Sequence, residues 1–315
     1  MREIKRQTVW QKSEHNAFTD LIRFQDAWWC TFREASTHTS ENGIIRILKS
    51  IDGTIWLDMG TIRIQEADLR DPKLSISPTN TLVLLATALY TKAPLKYYQT
   101  FAWSQYSNHN WSNPTAVAEP NHWLWRITWQ NGKAYGIAYG TPPKEGLYWY
   151  EFSSLTHYKS YQIEKFDDEY ANEHDLAFDE QGNVYCLLRR DITPAELSTG
   201  LLGKSKPPYK QWEWFDLGFR IGGPALAWAP NKKTLLAGYR RHQDPNQWLP
   251  QWTEIAELSL DGKVLKSIDL ESGGDCSYPG LALEGTTLKA VYYSSHEGQT
   301  KIYSSDIELN HPSRK

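Results

Sequence analysis

Glu173 to Arg189 reads EHDLAFDEQGNVYCLLR: a short apolar strand, a polar Gln181-Gly182 turn and a second apolar strand ending in arginine. Degenerate copies begin at Ala17, Asp71, Trp123, Pro224 and Tyr278, so the six copies follow one another at offsets of 54, 52, 50, 51 and 54 residues. Each copy has its own turn, at Gln25-Asp26, Thr79-Asn80, Asn131-Gly132, Asn231-Lys232 and Glu284-Gly285. Two apolar runs around such a turn form a β-hairpin. One hairpin cannot bury both of its faces, and four-stranded units repeating at 40 to 50 residues close into β-propellers. The expectation is an all-β, six-bladed β-propeller of four-stranded antiparallel blades, a single domain over residues 1–315. The N-terminal segment from Ile4 to Trp10 precedes the first hairpin and is expected to supply the outer strand of the last blade, removing an exposed sheet edge.

The composition agrees with one closed ring. The unbroken repeat leaves no room for a linker, and 15 Trp with 18 Tyr suit both blade packing and sugar stacking. A net charge of -3 argues against a nucleic-acid partner, which calls for a basic surplus or stripe. The three cysteines show no metal-type spacing, and Cys30 and Cys186 fall inside apolar strands as buried thiols. No apolar run reaches membrane-spanning length, and MREIKRQTVWQKSEH contains no signal-peptide core. The expectations are no membrane insertion and a cytoplasmic location, or a secreted or periplasmic one if a leader precedes this start.

In a propeller the axial mouth gathers equivalent positions from different blades. The first repeat position holds Ala17, Asp71, Trp123, Glu173, Pro224 and Tyr278, and the last holds Arg33, Thr87, Tyr139, Arg189, Arg240 and Ser294. An arginine on an apolar strand is costly to bury unless it meets an anion. A neighbouring carboxylate would satisfy any one of them, but three at one structural position point to a shared anionic ligand. Paired guanidinium donors match a carboxylate, so the implied ligand is a small acid such as an acidic sugar.

These residues resemble the sialidases. In that family three arginines from blades one, four and five hold the sugar carboxylate, matching Arg33, Arg189 and Arg240. A glutamate stands sixteen residues before the second arginine, as Asn172-Glu173 does before Arg189, and the sixth blade carries a tyrosine where Ser277-Tyr278-Pro279-Gly280-Leu281-Ala282-Leu283 lies. Phe32-Arg33 keeps the first half of the family's F-R-I-P, and Ser50-Ile51-Asp52-Gly53-Thr54-Ile55-Trp56 follows its Asp box, a turn remote from catalysis. The resemblance implies a retaining exo-glycosidase for terminal α-linked sialic acid or a related 2-keto sugar acid such as Kdo, with Tyr278 as nucleophile, Glu173 as its base and no cofactor.

The family's acid, an aspartate in the first-blade loop, has no direct counterpart. Glu41 is the nearest carboxylate and is assigned here, with His38 in the same loop and with Asp71 and Asp275 as further candidates. The family's last-blade glutamate that braces the first arginine is also missing: Val291-Tyr292-Tyr293-Ser294 carries no acid, which leaves Arg33 without an assigned brace. Asp68-Leu69-Arg70-Asp71-Pro72 is either a solvated loop with an internal ion pair or a substrate contact, and Trp123 and Trp125 either stack on a sugar or pack between blades. His174 beside Asp175 does not make a metal site, and no metal is expected. A non-catalytic propeller that binds acidic glycans is the alternative, since the carboxylate clamp can outlast loss of the acid.

Overall fold

Six antiparallel sheets form the six blades. The computed structural model describes residues 1–91, 96–164, 166, 169–244, 246–247 and 249–309. The innermost strands are His15–Phe24, Asp68–Ile76, Glu169–Phe178, Ile221–Trp228 and Cys276–Glu284, with the third blade's inner strand split into His122–Leu124 and Thr128–Gln130. They pack against one another around the axis. The only helical element among the described residues is a single 3-10 turn, Ala195–Leu197. No helix there is long and apolar enough to cross a membrane.

In the sixth sheet Arg2–Trp10 is the outermost strand and pairs antiparallel with Lys301–Glu308, from Arg2 opposite Glu308 to Trp10 opposite Ile302. Trp10 is buried and donates its indole N–H to Glu34 Oε1 at 2.7 Å, tying this strand to blade one. The Ser50–Trp56 turn lies beside the same seam. Asp52 Oδ1 accepts the N–H groups of Thr54 and Ile55 at 2.8 and 2.9 Å, and Lys5 and Gln7 of the N-terminal strand reach Thr54 and Gly53. Its role is to fasten adjacent blades.

Each inner strand breaks register at the same height. Bulges fall between Ala17 and Asp20, Arg70 and Lys73, Ala171 and His174, Gly222 and Ala225, and Ser277 and Gly280, and blade three is interrupted between its two short strands. A bulge adds a residue and re-aims side chains. Four of these bulges hold backbone at positive φ, at Phe18 (60°), Asp71 (50°), Gly223 (56°) and Tyr278 (48°). A left-handed conformation in a residue other than glycine is unfavourable by about 1–3 kcal/mol and persists only where the surroundings enforce it.

Those surroundings include a buried ionic floor. Arg126 of blade three meets Asp20 of blade one at 2.8 Å and Asp175 of blade four at 3.0 Å. Asp20 also accepts the Leu74 N–H of blade two at 2.6 Å, and Asp175 the Leu226 N–H of blade five at 2.9 Å. Five of the six blades are thus joined through three side chains. Removing one member of a buried ion network leaves uncompensated charge at a cost of about 3–5 kcal/mol. Arg126→Met is therefore expected to lower the unfolding free energy by about that amount in urea denaturation, whereas a loss below about 1 kcal/mol would show that the two carboxylates do not depend on it.

Candidate active site

Tyr278, Glu173, Arg189 and Arg240 converge at the mouth, as their repeat positions led one to expect. The Tyr278 hydroxyl donates to Glu173 Oε1 and lies 3.2 Å from Arg189 Nη1 and 3.3 Å from Arg240 Nη2. Glu173 Oε1 also accepts from Arg189 Nη1 at 2.9 Å, while Oε2 accepts the Gly223 N–H at 2.6 Å. The Arg240 guanidinium lies 5.0 Å from the Tyr278 ring centroid, and Phe18 (5.0 Å) and Trp125 (6.2 Å) wall the ring. Tyr278 is 5% and Arg240 2% exposed, so this is a desolvated phenol between one carboxylate and two guanidinium groups.

Burial raises the Tyr278 pKa, and Glu173 pushes it the same way against Arg240 and Arg189, so the resting phenol keeps its proton. Asp71, on the blade-two bulge, is raised to about 7, first by burial and further by Glu173, against the opposing pull of Lys73, Arg70 and Arg33. This carboxyl is half-protonated near neutral pH. Behind Arg189 stands Asp191, 2.9 Å from its Nε and 3.0 Å from Arg220 Nη2; Asn172 donates to Asp191 at 3.0 Å. The sequence reading did not single out Asp191 or Arg220. Asp191 lies only two residues beyond Arg189, but Arg220 comes from the next blade.

The expectation for Arg33 is corrected. Its side chain is completely covered, with Nε and Nη2 on Asp68 Oδ1 at 3.1 and 2.8 Å, Nη1 on the Thr37 carbonyl and Nη2 on the Ser40 carbonyl. Its brace is Asp68 of blade two, and no face remains for a ligand. Arg70 shares that carboxylate at 2.5 Å and is partly exposed, so the Asp68–Asp71 cluster is an ion-paired wall of the mouth.

Glu41 is exposed and accepts the Thr91 hydroxyl at 2.9 Å, and no contact joins it to Tyr278 or Glu173 among the described residues. Trp123 is buried between Tyr98 and Tyr139, stacked on the latter at 5.6 Å, so it packs blades; no tryptophan among the described residues is exposed. His38 and Asp275 form a separate cluster with His15 on the far side of Phe18. Burial acts upward on Asp275, yet hydrogen bonds from His15 and His38 hold its carboxyl well below the usual range, which removes it as a proton donor.

No family model matches this sequence, and no curated protein matches it. Solved structures do. A Dyadobacter fermentans protein of unknown function has a TM-score of 0.84 at 16% identity, over 98% of this chain and 99% of that one. The α-L-arabinanase of Penicillium chrysogenum, solved with arabinobiose, gives 0.76 at 13%, over 98% and 99%. The sialidase of Trypanosoma rangeli, solved with the inhibitor DANA, gives 0.70 at 10%, over 94% of this chain and 55% of that one. The likeness is one of fold.

Asp71 supplies a direct test of the site's electrostatics. Its carboxyl keeps its proton to about pH 7 when folded and loses it near 3.9 when unfolded, so the folded state binds more protons between those values. The stability it contributes is full below the unfolded value and is lost as pH rises toward 7. Asp71→Asn cannot ionise and is expected to gain stability relative to the parent chain from pH 4 to pH 7, measured by denaturation at a series of pH values. Parallel curves would mean that Asp71 titrates normally.

Proposed function

We propose that this protein is a retaining glycoside hydrolase acting on a terminal α-linked 2-keto sugar acid, of which sialic acid and Kdo are representatives. The observation that carries this reading is the Tyr278 hydroxyl hydrogen-bonded to Glu173 with Arg189 and Arg240 at its other side. A keto sugar acid has its carboxylate on the anomeric carbon. An attacking carboxylate would be repelled there, whereas a neutral phenol approaches freely. Burial of Tyr278 keeps it neutral until Glu173 takes the proton during attack.

In the first step Tyr278 Oη bonds to the anomeric carbon, its proton passes to Glu173, and the bond to the leaving oxygen breaks as Asp71 protonates it. In the second, water attacks the anomeric carbon, Asp71 accepts its proton, and the phenolate leaves with the proton returned from Glu173. Arg189 and Arg240 hold the sugar carboxylate and offset charge developing on the phenol oxygen. Asp71 is preferred to Glu41 because its pKa lies near neutrality and Glu173 and Tyr278 lie within its field. Support of a general kind comes from the similar folds of an α-L-arabinanase and a sialidase.

Release of the fluorophore from an aryl α-sialoside and an aryl Kdo glycoside tests the reading. Turnover of one is expected, lost by at least about 100-fold in Tyr278→Phe, which removes the nucleophile, and in Arg189→Ala. No turnover of either, with saturable binding retained by Tyr278→Phe and lost in Arg189→Ala, would replace the enzyme by an acidic-glycan binder.

The pH profile tests the acid. With Asp71 required protonated, kcat/KM should fall above about pH 7, and Asp71→Asn should abolish that limb while sparing glycosides whose leaving group needs no proton. A limb unchanged in Asp71→Asn would assign the proton donor elsewhere.

A further inference from the structure

We infer that His15, His38 and Asp275 form a binding site for one divalent transition-metal ion of the zinc type, outside the catalytic group. Asp275 Oδ2 lies 2.8 Å from His15 Nε2 and 2.8 Å from His38 Nδ1, and the three potential ligand atoms all lie within 4.8 Å of one another. Two imidazole nitrogens and one carboxylate oxygen are the donor set of zinc sites that keep an open fourth position. Bonds of about 2.0–2.2 Å in a tetrahedron set donor atoms roughly 3.3 Å apart, so an ion needs the present contacts to open by about half an ångström.

The surroundings are built for such a ligand set. Both imidazoles face one oxygen of Asp275, and its other oxygen, Oδ1, accepts the Tyr293 hydroxyl at 2.8 Å. Asp275 therefore offers a single oxygen to the cluster, oriented by an outer donor, as carboxylate ligands commonly are. The Asp275 backbone is fixed as well, its N–H on Ser295 Oγ at 2.8 Å and its carbonyl accepting the Ser295 N–H at 3.0 Å. His15 is 8% exposed at its side chain, whereas His38 is 35% exposed, which gives an ion a path from solvent and a place for a water ligand.

The three residues come from the first inner strand, the loop before Ile44–Ser50 and the lead-in to the last inner strand. An ion here would add a link between blades one and six, beside those made by Trp10 to Glu34 and by Asn16 to Thr300. The edge of Phe18 separates it from Tyr278, with ring centroids 5.1 Å from His38 and 5.0 Å from Tyr278. The site is thus a structural clasp beside the mouth.

Equilibrium dialysis of the chelator-treated full chain against zinc, with cobalt(II) absorption to report coordination, decides the matter. The expected result is one ion per chain, the visible bands of tetrahedral cobalt, and a raised melting midpoint with zinc. Binding should be lost in Asp275→Asn and in His38→Ala, and weakened on the order of 10-fold in Tyr293→Phe, which removes only the outer donor. His38 lies on a partly exposed loop, so its variant keeps the test clear of folding defects. Absence of stoichiometric binding, or binding equally strong in His38→Ala and Asp275→Asn, would overturn the assignment.

Discussion

Arg126 reaches across the axis to Asp20 and Asp175 and ties the inner strands of five blades together. The two carboxylates are not isolated anchors. Each accepts a backbone N–H from the next blade, so each sets the height of its neighbour's inner strand. Asp20 follows Phe18 by two residues and Asp175 follows Glu173 by two, while the N–H groups they bind, on Leu74 and Leu226, each lie three residues after Asp71 and Gly223. The floor therefore fixes the bulges from which the mouth side chains project. Desolvation makes this arrangement unforgiving: burial pushes the Asp175 carboxyl up, against the pull of Arg126 and of two backbone donors. Such a network contributes geometry more surely than net stability.

Above that floor the charges are arranged in series. Asp191 and Glu173 flank Arg189, Glu173 accepts a hydrogen bond from the Tyr278 hydroxyl, and Arg240 lies against the ring from the fifth blade. Gly223 is needed for two reasons at once. Its φ of 56° suits glycine, and a Cβ there would lie 2.3 Å from the Tyr278 ring. Its N–H then reaches Glu173 Oε2, which leaves Oε1 for the phenol. The Glu173 carboxylate is thus held by one backbone donor and one arginine.

The ring and its hairpins were legible because a repeat reports itself six times, and noise in one copy is corrected by the others. Glu173, Arg189 and Tyr278 were legible because a hairpin fixes which residues share its end. What failed was finer than a hairpin. The bulges shift the axial residue from Ala17 to Phe18 in blade one and bring Trp125 rather than Trp123 to the Tyr278 ring in blade three, and an apolar sequence carries no mark of where register slips. Arg33 sits at the right repeat position but is captured by Asp68, 35 residues away in the next blade. His15 and Asp275 are 260 residues apart and meet only because the ring closes.

The capture of Arg33 bears on what the mouth can bind. Asp68 neutralises one of two guanidinium groups, Arg33 and Arg70, and seals the first from solvent. At Asp71 burial dominates and, with Glu173 acting the same way, its pKa rises to about 7 against the pull of Lys73, Arg70 and Arg33. Had Arg33 turned toward the axis, it would have added a third cation for a ligand carboxylate but also held Asp71 ionised. The structure instead has two arginines at the phenol and, at Asp71, a carboxyl raised to about 7. An arginine aimed at the axis and a protonated Asp71 would thus oppose one another at this mouth.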